Sequence, residues 1–324
     1  MSPLPPGIPR HTNPDPDLPM FQSILVPLDG SEFSEEALPL GRHLAAKLGV
    51  RLHLAHVIRP LTDVDFKTPQ EDLEWRNQIR EGAEEYLAGR AGEAEADEGI
   101  SARIAVLEGR PVPTLDGYLQ EHGIDLTVMT THGAGGVERW WLGSVADGLL
   151  RKGSTHLLLV RPWDDTEDRE PGEPRFNRIV VPLDGSESAE AALEPARVMA
   201  RTFGATLTLL RVVPAPMELT SVSGVPGVRV EGEGHRTRTA EASSYLDGVA
   251  AGFGDPRPET LVVEHRGAAE GVIAGVQRAE GDLVVLSTHG RGGLARAVLG
   301  SVADKVIRGS VQPVLAIRPP DPDA

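Results

Sequence analysis

Short, continuously apolar runs recur along the chain, and each leads into a longer stretch with alanine and leucine at helical spacing. In the first half the runs are SILVPLD (23–29), VRLHLAHV (50–57), ARIAVLE (102–108), DLTVMT (125–130) and HLLLVRP (156–162). In the second half they are RIVVPLD (178–184), ATLTLLRV (205–212), TLVVEH (260–265), DLVVLS (282–287) and PVLAIRP (313–319). A longer polar helix is expected in each half, over about 70–92 and 236–251. Apolar strands alternating with helices predict an α/β fold whose parallel sheet is covered on both faces, because strands buried on both sides carry no polar alternation. Ligands of such sheets bind beyond the carboxyl ends of the strands, where the strand order reverses.

The two halves are copies of one unit. SILVPLDGSEFSE (23–35) is answered by RIVVPLDGSESAE (178–190), and THGAGGVERWWLGSVADGLLRKGS (131–154) by THGRGGLARAVLGSVADKVIRGS (288–310). Asp29 and Asp184 are 155 positions apart and His132 and His289 are 157 apart, so the spacing inside the copies differs by two residues. A repeat this long in two copies is a domain duplication, not a solenoid. The expected domains are 21–161 and 176–318, joined by the acidic, proline-bearing linker 162–175, with the two units packed against each other. Residues 1–20 read as a flexible proline-rich tail and 319–324 as a second tail, and Met20 is an alternative start of translation.

Composition narrows the function. A formal net charge of -16, from 48 acidic and 32 basic residues with no basic run, argues against nucleic acid and anionic membranes as partners. The absence of cysteine removes disulfides, thiolate metal sites and cysteine nucleophiles. No apolar stretch approaches a membrane span and the amino terminus has no signal-peptide core, so the cytoplasm is the expected compartment. No cluster of His, Asp and Glu has metal-ligand spacing.

The chemistry concentrates in the glycine segments. Gly133 is followed by nine residues and then Gly143-Ser144; Gly290 is followed by nine and then Gly300-Ser301. Glycines allow a backbone to approach an anion, and the N–H groups of a helix start point at it. The plainer reading is that the glycines only turn and the serines only cap; Ser144 and Ser301, three before Asp147 and Asp304, fit a capping box. Asp29 and Asp184 end the first strands, where a carboxylate would accept from a base amino group or a ribose hydroxyl; the alternative is an ordinary Asp-Gly-Ser turn. There is no G-x-x-x-x-G-K-[ST], and Gly290-Arg291-Gly292-Gly293-Leu294-Ala295 spells a dinucleotide motif in the wrong place, after the fourth strand.

These motifs together, V-P-L-D-G-S, T-H-G and glycine-nine-Gly-Ser in both halves, resemble the universal stress protein family, over all but the tail and linker. The resemblance implies two tandem Rossmann-like (adenine-nucleotide-hydrolase-like) domains, each a mainly five-stranded parallel sheet with helices on both faces. It implies ATP as ligand, with Mg²⁺ accompanying the nucleotide. In the family's pattern G-x-x-G-x9-G-[ST], the later elements map to Gly133, Gly143 and Ser144, and to Gly290, Gly300 and Ser301; Thr130 and Ser287 stand where the first glycine would be. Adenine is then expected near Asp29 and Val57, and near Asp184 and Val212. Arg291, which copy one replaces with Ala134, predicts a tighter second site. Trp140-Trp141 read as interdomain packing, and His132 and His289 as loop histidines donating to backbone. HLLLVRP and PVLAIRP are expected to pair across the units as an intrachain pseudo-dimer, with further association of two chains as a homodimer.

No water-positioning residue or general base recurs beside the glycine segments, so a nucleotide-binding stress-response regulator or sensor is expected ahead of an enzyme. A slow ATPase or phosphotransferase using the same pocket, and a nucleotide-free interaction scaffold, are the alternatives.

Overall fold

The computed structural model describes residues 20–60, 69–131, 142–161, 176–215, 218–219, 228–229, 233–289 and 299–319. The first repeat runs β1 (Ser23–Pro27), α1 (Glu32–Glu35), α2 (Leu38–Leu48), β2 (Arg51–Ile58), α3 (Pro69–Glu98), β3 (Ala102–Glu108), α4 (Pro111–Glu121), β4 (Leu126–Thr130), α5 (Ser144–Lys152) and β5 (His156–Val160). The second runs β6 (Arg178–Pro182), α6 (Glu187–Glu190), α7 (Leu193–Phe203), β7 (Thr206–Pro214), β8 (Glu218–Leu219), β9 (Val228–Arg229), α8 (Glu233–Ala251), β10 (Glu259–His265), α9 (Ala268–Arg278), β11 (Leu283–Ser287), α10 (Ser301–Gly309) and β12 (Val314–Ile317).

Ten strands form one sheet in the order β10-β7-β6-β11-β12-β5-β4-β1-β2-β3. Each repeat therefore contributes a five-stranded parallel sheet, as expected, in the order 3-2-1-4-5. The two sheets join where β12 pairs antiparallel with β5, in the register Val314↔Leu159, Leu315↔Leu158, Ala316↔Leu157. This is the cross-unit pairing the two C-terminal strand sequences predict. It makes each repeat's edge strand an interior strand and leaves β3 and β10 as the sheet's edges.

The burial of both sheet faces follows from the continuous apolar runs. One face, with Ile24, Leu54, Val181 and Leu209, is covered by α2, α3, α7 and α8, and Leu246 of α8 joins that core. The other, with Leu25, Leu157 and Leu210, is covered by α4, α5, α9 and α10, which add Val272 and Val306. Leu158 and Leu315, at the junction, are both fully buried.

Two departures from the sequence expectations have local causes. The single helix expected after each Asp-Gly-Ser is two pieces, α1 then α2 and α6 then α7. Pro39 and Pro195 occupy the first turns of the second pieces, where a missing N–H costs least and continuation from the previous turn is blocked. The polar helix of the first repeat runs Pro69–Glu98, beyond the expected end, and its last turns are held by Arg42 of α2, which reaches Asp97 Oδ2 at 2.6 Å and Glu98 Oε2 at 2.5 Å. Among the described residues no helix is long and apolar enough to cross a membrane.

Candidate functional site

The strand order reverses between β1 and β4, and again between β6 and β11. There β1 and β4 share only the register Ile24↔Leu126 and Leu25↔Thr127, and β6 and β11 only Leu283↔Ile179 and Val284↔Val180. By contrast β1 and β2 stay paired over five positions. The ladder stops early at each switch point, the place where sheets of this kind have their ligand crevice. Asp29 follows β1 and Thr130 ends β4 at one crevice; Asp184 follows β6 and Ser287 ends β11 at the other.

The glycine segments start and finish at these crevices in the same way in both repeats. Thr131 N–H donates to Val160 O at 2.8 Å and Gly143 N–H to Thr131 O at 2.6 Å. In the second repeat Thr288 N–H donates to Ile317 O and Gly300 N–H to Thr288 O, both at 2.8 Å. The two ends of each segment are thus tied to each other just beyond the fourth strand, immediately before α5 or α10. Gly143 and Gly300 are the N-cap residues, and exposed Ser144 and Ser301 are the first helical residues. The capping-box expectation is corrected here. Neither helix has a side-chain cap hydrogen bond, because the serines lie one position inside the cap, and Asp147 and Asp304 turn to arginines instead. Gly133, Gly290 and Arg291 lie outside the described residues, as do His132 and Trp140-Trp141.

The carboxylates after β1 and β6 organise their turns. Asp29 Oδ1 accepts from Ser31 N–H at 3.0 Å and from the Ser31 hydroxyl at 2.5 Å; Asp184 Oδ1 accepts from Ser186 N–H at 2.9 Å and its hydroxyl at 2.6 Å. Ser31 and Ser186 in turn cap α1 and α6. Gly30 and Gly185 sit at φ +82° and +86°, a conformation side chains with a Cβ rarely adopt. The turn reading of Asp-Gly-Ser is therefore observed, and it leaves the carboxylates at the crevice.

Val57 and Val212 lie near the carboxyl ends of β2 and β7 on the face of α4 and α9. A Cβ on Gly271 of α9 would come within 2.5 Å of Val212, so the helix approaches the strand closely behind this side chain. Thr130 and Ser287, in place of the family's first glycine, are 5% and 8% exposed. Ser287 Oγ accepts from His289 N–H at 3.3 Å. The His289 ring meets Thr288 Oγ1 at 3.0 Å, a hydroxyl that also donates to Ile317 O. Its partner is thus a side chain, which corrects the expected donation to backbone. Burial, then the positive charge of Arg318, hold the His289 ring below its ordinary pKa.

Sequence reasoning missed Arg211. It stands where the first repeat has His56, whose Nδ1 meets Leu28 O at 3.0 Å. The Arg211 guanidinium packs 4.6 Å from the centroid of the Tyr245 ring, and a Cβ on Gly185 would lie 3.2 Å from its Nη atoms. It therefore underlies the Asp184-Gly185-Ser186 turn. The signal was present: a single basic residue inside the apolar run ATLTLLRV. Around it, Tyr245 donates to Glu190 Oε1 at 2.7 Å, matched by Tyr86 donating to Glu35 Oε1 at 2.7 Å in the first repeat. Among the described residues no group of three or more His, Asp and Glu could hold a metal ion.

Comparison with known proteins agrees with the repeat. The model of the universal stress protein family matches residues 20–161 and again 175–318. Universal stress protein Rv2005c of Mycobacterium tuberculosis is 26% identical over 300 residues, covering 91% of this chain and 96% of its own. Universal stress protein YxiE of Bacillus subtilis is 29% identical over 149 residues, which are 44% of this chain and all of YxiE. Among solved structures, a universal stress protein from Archaeoglobus fulgidus superposes with a TM-score of 0.65 at 23% identity, covering 92% of this chain and 97% of that one. Two family matches, one per half of a continuous ten-stranded sheet, identify the chain as a tandem member of the universal stress protein family.

Proposed function

We propose that each repeat binds an adenine nucleotide, ATP accompanied by Mg²⁺, in the crevice at its switch point, and that the chain acts in the cytoplasm as a stress-response regulator or sensor rather than as an enzyme. One observation carries the reading. In both repeats the glycine segment is closed at its base by the same backbone bonds, Gly143 to Thr131 and Gly300 to Thr288, and opens directly onto a helix start with an exposed serine. Free N–H groups at a helix start favour a phosphate. The base and ribose would lie towards Asp29 and Val57, or Asp184 and Val212, with the triphosphate over Gly133, Gly143 and Ser144, or Gly290, Gly300 and Ser301. The metal would be carried in by the phosphates.

The two sites would differ. Arg211 adds a positive charge beneath the second site's turn, in addition to Arg291 in its glycine segment, so the second site is the tighter one. Two chains associating as a homodimer belongs to the same proposal, and mass in solution tests it.

The test is calorimetric titration of the full chain with ATP and Mg²⁺, together with analysis of the supernatant after denaturing the purified protein. Heat that fits two unequal sites, or released adenine nucleotide, supports the reading. Phosphate release at a steady rate from the bound complex would instead favour the slow ATPase.

A further inference from the structure

Asp147 and Asp304 occupy the first turns of α5 and α10, the helix starts proposed to meet the phosphates. A carboxylate in that position opposes an anion. Each is covered by two arginines, one from its own helix and one from the other repeat. Arg151 Nε meets Asp147 Oδ2 at 3.0 Å and its Nη2 reaches Asp304 Oδ1 at 3.0 Å. Arg308 Nε meets Asp304 Oδ1 at 3.1 Å and its Nη2 reaches Asp147 Oδ1 at 2.6 Å. The same acids are bonded through their backbone to the loop bases, Asp147 N–H to Gly143 O and Asp304 N–H to Gly300 O, both at 2.9 Å. A hydrogen-bonded path therefore runs from Thr131 through Gly143, Asp147, Arg308, Asp304 and Gly300 to Thr288.

We infer that Arg308 and Arg151 are positioning residues that complete the nucleotide site of the opposite repeat, each neutralising and fixing the first-turn carboxylate beside that site's phosphates. The inference rests on the nucleotide reading above. It explains why an acidic residue is tolerated at a helix start meant for an anion. It also gives the cross-repeat ion pairs a role: each first-turn carboxylate takes its second arginine from the other repeat. Arg161 and Arg318 strengthen the same contact from the strands that follow, Arg161 donating to Arg308 O and Arg318 to Leu150 O.

The experiment titrates the full chain with ATP and Mg²⁺ and, separately, with adenosine, which has no phosphate. Arg308→Gln should weaken ATP by about fivefold at both sites, since Arg308 meets Asp147 and Asp304 alike, and leave adenosine unchanged. Arg308→Lys, which keeps the charge, should recover most of the loss, and adding Asp147→Asn to Arg308→Gln should restore ATP affinity at the first repeat's site alone. A merely structural role would weaken ATP and adenosine by the same factor. That outcome, or failure of Asp147→Asn to restore binding, overturns the inference while the nucleotide reading stands. Absence of binding of both ligands to the wild type overturns the nucleotide reading, and the inference falls with it.

Discussion

Leu158 of the first repeat lies opposite Leu315 of the second in the antiparallel junction of β5 and β12, and neither side chain is exposed. This pair joins two parallel sheets into one hydrophobic layer, so the repeats should not unfold separately. Leu158→Ala is expected to cost about 2–4 kcal/mol. Chemical denaturation should show one transition, shifted as a whole; a variant in which only one repeat's transition moves would contradict the continuous sheet.

Acid should loosen the same junction. His156 begins β5, and its Nδ1 accepts from the Arg318 N–H at 3.1 Å, a bond that protonation of that nitrogen breaks. Burial, then Arg318, lowers the His156 pKa to about 4. Burial, then the charges of His122, Arg103 and Arg51, lowers that of His53 to about 4 as well, and its Nδ1 meets the Tyr118 hydroxyl at 2.9 Å. Both folded pKa values lie below that of the unfolded chain. Their contribution is therefore complete above about pH 6.5 and is lost as pH falls towards 4, amounting to ~3 kcal/mol for His156. His156→Gln keeps an acceptor for Arg318 without a titrating ring. Its stability between pH 7 and 4 should fall with a slope shallower by about one proton, and an unchanged slope would contradict the assignment.

Asp29 has two separable roles. Its carboxylate organises the turn through Ser31, and it is proposed to face the nucleotide. Asp29→Asn keeps the oxygen that accepts from Ser31 and removes the charge, so thermal stability should hardly change while ATP binding at the first site weakens. Asp29→Ala should lose both, with about 1 kcal/mol of stability. Asp184→Asn should act in the same way on the second site. Wild-type affinity in both Asn variants would remove these carboxylates from the site.

Arg211→His converts the second site's turn to the arrangement of the first, where His56 occupies the matching position. The tighter ATP site should weaken several-fold, and the weaker one should stay as it is. Titration of the variant with ATP reads both at once. No change in the tighter site would leave Arg211 as a packing partner of Tyr245 only.

Much of this fold can be read from the residues because the repeat states it twice. The apolar runs predict ten strands, two copies predict two like units, and HLLLVRP with PVLAIRP predicts their pairing. What the residues conceal is long-range. Ser144 and Asp147 have capping-box spacing, but Asp147 is drawn to Arg308, which is 161 positions away, and spacing within one helix cannot show that partner. The short β8–β9 pair, Glu218–Leu219 with Val228–Arg229, has no counterpart among the described residues of the first repeat and lies in a stretch where the copies no longer match. Arg211 was visible as an odd charge in a strand, but its contact with the Gly185 turn depends on how β6 and β7 are paired. The sequence-predicted Asp29, Thr130, Gly143 and Ser144, and Asp184, Ser287, Gly300 and Ser301, are placed at the two switch points by strand order, which periodicity alone does not establish.

The central claim is that both switch-point crevices bind adenine nucleotide, unequally. Calorimetric titration of the full chain with ATP in the presence of Mg²⁺ tests it most directly. Two binding events are predicted, the tighter one weakened by changes at Asp184 and Arg211 and the weaker one by a change at Asp29. No heat on titration, with no adenine nucleotide released from the denatured protein, would contradict it.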